Sequence, residues 1–141
     1  MSTLAGDLAR ALGDAAAMQQ LYADDIRWTL PISLGRIGGT HEGKAAVIAF
    51  NKASLGPYSK SAGMKVDIHD ETDAGDVSMA RFTCRATVTA TGETYENEYM
   101  LVVRGRDGKI AEVFEYLDTL KVMQYQGLRR YLPAIPGVVV A

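Results

Sequence analysis

The apolar residues of this chain change their period halfway along it, and that change constrains the fold more than any other feature. Up to about residue 55 they recur at helical spacing; from about residue 64 they alternate. Leu4, Leu8 and Leu12 share one face of a helix predicted over residues 3–12, which Gly13 ends. Asp14 caps a second helix, from Ala15 to about Tyr22. Ile26 to Leu30 alternates as a short strand, and Pro31 stops it. Gly35 to Thr40 reads as a loop, and residues 42–54 as a helix that ends before Gly56-Pro57. Val47, Phe50 and Ser54 form one stripe of that helix, with Ile48 beside it. Strands follow at residues 64–69, 77–89, 95–104 and 110–117, with turns at Thr91-Gly92 and at Arg106 to Lys109. A helical tail from Thr119 to Tyr131 ends at Pro133 and Pro136. Helices segregated from hairpin-linked strands predict an α+β fold with one curved antiparallel sheet.

Composition bounds the function classes. A chain of 141 residues without repeat, linker or low-complexity segment suits one domain, taken as residues 1–141. With 15 basic and 17 acidic residues, it lacks the basic field of a general nucleic-acid binder. The single cysteine, Cys84, allows no internal disulfide framework and no multi-thiolate metal site. Two separated histidines, His41 and His69, make no convincing metal site. No apolar run approaches the ~20 residues that span a bilayer, and residues 1–7 do not read as a secretory signal. A cytoplasmic protein without cofactor, nucleic-acid partner or membrane contact is the expectation.

Four stretches carry a resemblance: Leu21-Tyr-Ala-Asp-Asp-Ile-Arg-Trp-Thr-Leu-Pro31, Gly39-Thr-His-Glu-Gly-Lys-Ala-Ala-Val-Ile-Ala-Phe50, Thr91 to Tyr99, and Asp107 to Thr119. In this order and spacing, over about residues 7–125, the chain resembles the nuclear-transport-factor-2-like superfamily. That superfamily includes ketosteroid isomerases, limonene-epoxide hydrolases and SnoaL-type polyketide cyclases. The resemblance implies a cone: a curved sheet wrapped around N-terminal helices, with an enclosed apolar pocket. It also implies a homodimer through the convex sheet face, which would cover Phe114 and Tyr116. The fold hosts many functions, so the activity rests on individual residues.

Three chemistries follow from the family. The isomerases need a base carboxylate before the first strand's proline and a protonated acid deep in the sheet. Here those positions hold Leu30 and the run Tyr99-Met100-Leu101, so the isomerase mechanism is not expected. Alignment with the epoxide hydrolases places Glu115 on one acid and Arg81 on the arginine. Thr83 then stands for the second acid, and Trp28 and Leu30 for the water-holding Tyr and Asn. The SnoaL-type cyclases need one carboxylate, again at Glu115, for an intramolecular aldol closure in which the folded substrate supplies the orientation. That is the leading reading: an acid/base enzyme acting on a small hydrophobic carbonyl compound. Its alternatives are a non-catalytic small-molecule-binding protein on the same scaffold and a divergent epoxide hydrolase.

The residues themselves leave choices open. Alternation groups Ile110, Glu112, Phe114 and Tyr116 on one face of the last strand, and Ala111, Val113, Glu115 and Leu117 on the other, without saying which is inside. Glu115 is a proton carrier or a solvated strand residue. Arg81 is a catalytic partner, or the buried ion-pair mate of Glu115. Trp28 lines the pocket mouth or the core, its N–H needing a partner in either case. Tyr95, Asn97 and Tyr99 share a face that is read as concave, where they would orient a ligand with Leu30, Phe50, Thr83 and Val113. His41 reads as a helix-capping or surface residue and His69 as an exposed one, and an acidic loop holding Asp70, Glu71, Asp73 and Asp76 reads as solvated surface.

Overall fold

The computed structural model describes residues 2–126. Helices α1 (Leu4–Ala11) and α2 (Ala15–Gln20) lead into strand β1 (Tyr22–Leu30), a 3₁₀ stretch (Ile32–Ile37), β2 (Gly39–Glu42) and helix α3 (Lys44–Leu55). Strands β3 (Lys65–Ala74), β4 (Val77–Thr87), β5 (Thr94–Arg106) and β6 (Lys109–Leu117) follow, then helix α4 (Thr119–Gln126). The expected ends of the last helix at Pro133 and Pro136 lie outside the described residues.

The local chemistry explains most of these boundaries. Thr3 caps α1 by accepting from Gly6 N, and Asp14 caps α2 by accepting from Ala17 N at 3.1 Å. The turn between β5 and β6 places Asp107 at φ 53° and Gly108 at φ 76°, the left-handed pair that a two-residue hairpin requires. Two expectations shift. Tyr22 opens β1 rather than closing α2, and the glycine loop holds the end of the 3₁₀ stretch and the start of β2.

The six strands form one sheet in the order β2-β1-β6-β5-β4-β3. β1 pairs antiparallel with β2, and β3 to β6 form the antiparallel meander that the turns predict, but β1 and β6 pair parallel. The first and last strands therefore lie side by side, second and third from the β2 edge of the sheet. The acidic segment is strand rather than loop, with Asp70, Glu71 and Asp73 all inside β3. His69 is exposed and sits where the β3–β4 register shifts; its Nε2 lies 2.7 Å from Thr83 Oγ1. Glu71 anchors α1: its carboxylate accepts from Thr3 N at 2.9 Å and Thr3 Oγ1 at 2.7 Å, and pairs with Arg10. A Cβ on Gly6 would stand 1.9 Å from a Glu71 oxygen, so the clamp needs glycine there.

One correction concerns β6. Its register with β5 shifts between Arg104–Glu112 and Gly105–Ile110, leaving Ala111 as the extra residue. Ile110 therefore turns inward with Val113, both fully buried, instead of sharing the outer face with Glu112. Glu112 points outward and pairs with Arg104 and Arg27.

The core lies between the concave face and the helices. Leu8 and Ala9 of α1, Val47 of α3, and Trp28, Phe82, Leu101 and Val113 of the sheet are almost wholly buried. Among the described residues no helix is long and apolar enough to cross a membrane.

Candidate functional site

The site begins at the parallel pair of β1 and β6. Parallel pairing sets Trp28 of β1 opposite Val113 of β6. Glu115 is two residues farther along the same face. The indole Nε1–H of Trp28 reaches it and donates to Glu115 Oε1 at 2.9 Å. On its other flank Glu115 lies opposite Leu101 of β5, with Tyr99 diagonally adjacent.

A cavity of about 40 Å³ lies over this point. Trp28, Leu30, Phe50, Phe82, Leu101, Leu117 and Val122 supply apolar walls; Glu115, Tyr99, Asn51 and Cys84 supply the polar atoms with Ser54 and Tyr58. At roughly 10–15 Å³ per water, the space suits about three waters. Glu115 is half-buried by its exposed surface, yet the groups crowding its carboxyl are apolar enough to strip most of its hydration. That desolvation pushes its pKa up to about 7, against the smaller opposing pull of the Trp28 hydrogen bond. At neutral pH the group is poised to take or give a proton. Its charge in turn adds to burial in pushing the Cys84 thiol up to about 12 and in raising the Tyr22 and Tyr99 phenols.

Behind the cavity wall the β5 face carries a short relay. Asn97 Nδ2 donates to Tyr95 Oη at 2.7 Å and to the Asp118 carbonyl at 3.0 Å. Tyr95 Oη lies 2.6 Å from Tyr99 Oη. Burial keeps both phenols protonated, so each hydroxyl remains a donor. Tyr99 reaches the cavity with its ring stacked on Phe82, centroids 5.2 Å apart. Tyr95 and Asn97 orient Tyr99 from the layer beneath. At the opposite wall Tyr22 Oη donates to Asn51 Oδ1 at 2.6 Å, which turns the Asn51 amide nitrogen away from Tyr22.

The structure thus brings Glu115, Trp28, Leu30, Phe50 and Tyr99 together at the cavity. Val113 is core below it, and Tyr95 and Asn97 form the supporting layer. Arg81 and Thr83 go elsewhere. Both sit on the opposite face of β4 from Phe82 and Cys84, because strand residues alternate sides. Arg81 pairs with Asp70 at 2.7 Å, so the expected ion pair with Glu115 does not form. Thr83 meets His69 rather than a ligand.

Sequence reasoning missed Asn51, and it missed Trp28 as the partner of Glu115. A polar residue one turn from Phe50's stripe carries no distinguishing local signal. The Trp28–Glu115 contact joins residues 87 apart. His41, read as a helix-capping or surface residue, stacks on Phe50 with ring centroids 4.4 Å apart and bonds the Ile37 carbonyl oxygen at 2.9 Å through Nε2. Among the described residues no cluster of His, Cys, Asp and Glu has the geometry to hold a metal ion.

A second, larger cavity of about 230 Å³ lies on the helix side. It shares Met18, Asn51, Leu55, Tyr58 and Met64 with the inner one. The two adjoin across these shared side chains, an outer antechamber beside an inner chamber.

Comparison with known proteins agrees with this architecture. An NTF2-like protein of Burkholderia thailandensis E264 superposes with a TM-score of 0.70 at 27% identity, covering 89% of this chain and 98% of that one. A Catenulispora acidiphila DSM 44928 protein with a ketosteroid isomerase-like fold, solved with trimethylamine, gives a TM-score of 0.71 at 16% identity. It covers 90% of this chain and 94% of its own. A Jannaschia sp. CCS1 protein provisionally named a SnoaL-like polyketide cyclase gives 0.69 at 16% identity, covering 84% and 88%. No curated protein matches by sequence. The family model for the SnoaL-like domain matches residues 7–113, and the chain belongs to that family.

Proposed function

We propose that this protein is an acid/base enzyme acting on a small apolar carbonyl compound, with Glu115 as the proton carrier. The observation that carries the reading is a lone carboxyl in an apolar cavity, bonded by Trp28 and raised to about 7. The Glu115 carboxylate takes the proton α to a carbonyl, and the electron pair moves onto the carbonyl oxygen. The Tyr99 hydroxyl is the donor for the enolate that forms. In an aldol-type closure the enolate carbon bonds to a second carbonyl of the same molecule, and Glu115 returns its proton to the new alkoxide. In an isomerisation Glu115 returns it to a different carbon. Neither reaction calls for a cofactor, and a cytoplasmic location goes with this reading.

The test is turnover on a panel of β-diketones and conjugated enones. Glu115→Gln is expected to lower kcat by at least ~100-fold, the usual scale for a general acid/base, while ligand affinity stays within a few-fold. Turnover unchanged in that variant excludes the proton-carrier role.

The second reading, a non-catalytic binding protein, draws on the size of the inner chamber, only about 40 Å³. It predicts ligand binding with no turnover on any member of the panel. The epoxide-hydrolase reading loses support, because Arg81 stands across the sheet from Glu115. The same outer face supports a homodimer. Met79, Met100 and Tyr116 are exposed there, and cross-strand pairing aligns Met79 with Val102 and Phe114, and Met100 with Tyr116.

A further inference from the structure

The antechamber differs in charge from the rest of the molecule. Helix α3 presents Ile48, Asn51, Lys52 and Leu55 to it, the spacing of a single helix face. Lys60, on the segment after α3, stands on the same wall system. Both lysines are exposed. No aspartate or glutamate lines this cavity, although the chain as a whole carries a net charge of −2. The ion pairs among the described residues are made by arginines, and neither lysine's ammonium group has a hydrogen-bonded or ionic partner there. The remaining lining is apolar or neutral, and Met18 and Met64 line the inner chamber as well.

Two cations beside an apolar cavity suit a particular shape of molecule. A Lys ammonium gives a flexible point charge suited to a single anionic group. An apolar body following that group would lie along Met18, Leu55 and Met64 and reach toward Glu115. An anion held at the mouth, rather than in the chamber, stays clear of the carboxylate that must change its charge there.

We propose that the antechamber is an anion-recognition site, and that Lys52 and Lys60 select apolar compounds that carry a carboxylate at one end. The inference rests on the preceding reading in one respect: the reacting part of that compound is the end that enters the inner chamber. The site itself is tested by binding alone, so failure of the catalytic role of Glu115 leaves the outcome readable.

The experiment is calorimetric titration of the full chain with decanoate, methyl decanoate and 1-decanol, in buffer at low and at high salt. Decanoate is expected to bind about tenfold more tightly than its methyl ester, the scale for two solvent-screened charge contacts. The preference is expected to shrink in high salt and to vanish in the Lys52→Gln/Lys60→Gln double variant, while affinity for the ester is unchanged. Glu115→Gln is expected to keep the preference. Equal affinity for acid and ester, binding of neither, or a preference that survives the double substitution would each overturn the proposal.

Discussion

Glu115 shows how a side chain's environment decides its chemistry. A glutamate three residues away, Glu112, faces outward between Arg104 and Arg27. Glu115 instead meets apolar walls and one indole donor, and desolvation outweighs the single hydrogen bond. The Trp28 bond favours the carboxylate form, so its removal should push Glu115 further up. Trp28→Phe is expected to move the acidic limb of the kcat/KM pH profile from near 7 to higher pH, by about one to two units for a charge-assisted bond worth about 1.5–3 kcal/mol. A profile that stays in place would show that the indole only packs. Arg81→Ala is expected to leave kcat and KM within twofold, since its side chain meets Asp70 on the far face. A loss of tenfold or more would return Arg81 to the catalytic machinery. The sequence separated these residues only in part: alternation assigned each to a face, but nothing local marked the face of Arg81 as outer.

At the level of elements, the clamp between α1 and β3 is the feature that holds the N-terminal helix against the sheet. The hydrogen bonds from Arg10 and Thr3 hold the Glu71 carboxyl at about 2, well below its usual range. Glu71→Ala removes the partner of Thr3 N and Thr3 Oγ1. It should cost about 1–2 kcal/mol, the scale of a lost cap with a solvent-screened ion pair. Hydrogen exchange should show faster opening of residues 4–11 in that variant, with β4 and β5 unaffected. Equal protection of α1 in variant and parent would mean that Leu8 and Ala9 hold the helix unaided. The helices themselves were legible from spacing and caps. Their partner was not, because Glu71 belongs to an acidic run that reads as solvated surface and lies 68 residues from Thr3.

The whole molecule combines two carboxyls with opposite shifts. Glu71, lowered in the folded state, contributes stability that is complete above its unfolded value of 4.5 and is lost as pH falls toward about 2. Glu115, raised in the folded state, contributes most below 4.5, and its contribution is lost as pH rises through about 7. Stability should therefore peak near pH 4.5–5. Glu115→Gln should flatten the alkaline side of that peak, by no more than roughly 3 kcal/mol at pH 8. Denaturation midpoints in urea from pH 3 to 8 check both limbs; a peak at pH 8 in the parent would contradict the buried state of Glu115. The proposed dimer belongs to this scale too. Met100→Lys with Tyr116→Lys should shift sedimentation from dimer to monomer, since both side chains stand exposed on one cross-strand row.

The sequence by itself determined the elements and their class. Helical spacing before residue 55, alternation after residue 64, the Asp14 cap and the Asp107-Gly108 turn act within a few residues of one another, so they survive in a linear reading. Only the tertiary structure decided what the elements enclose. Alternation yields two faces but is indifferent to which one turns inward, and one bulge at Ala111 is enough to move Ile110 from one face to the other. The parallel pairing of β1 with β6 joins the two halves of the chain and sets the Trp28 indole on the Glu115 carboxyl. A pKa set by burial is a property of that enclosure, and no neighbour in sequence carries it.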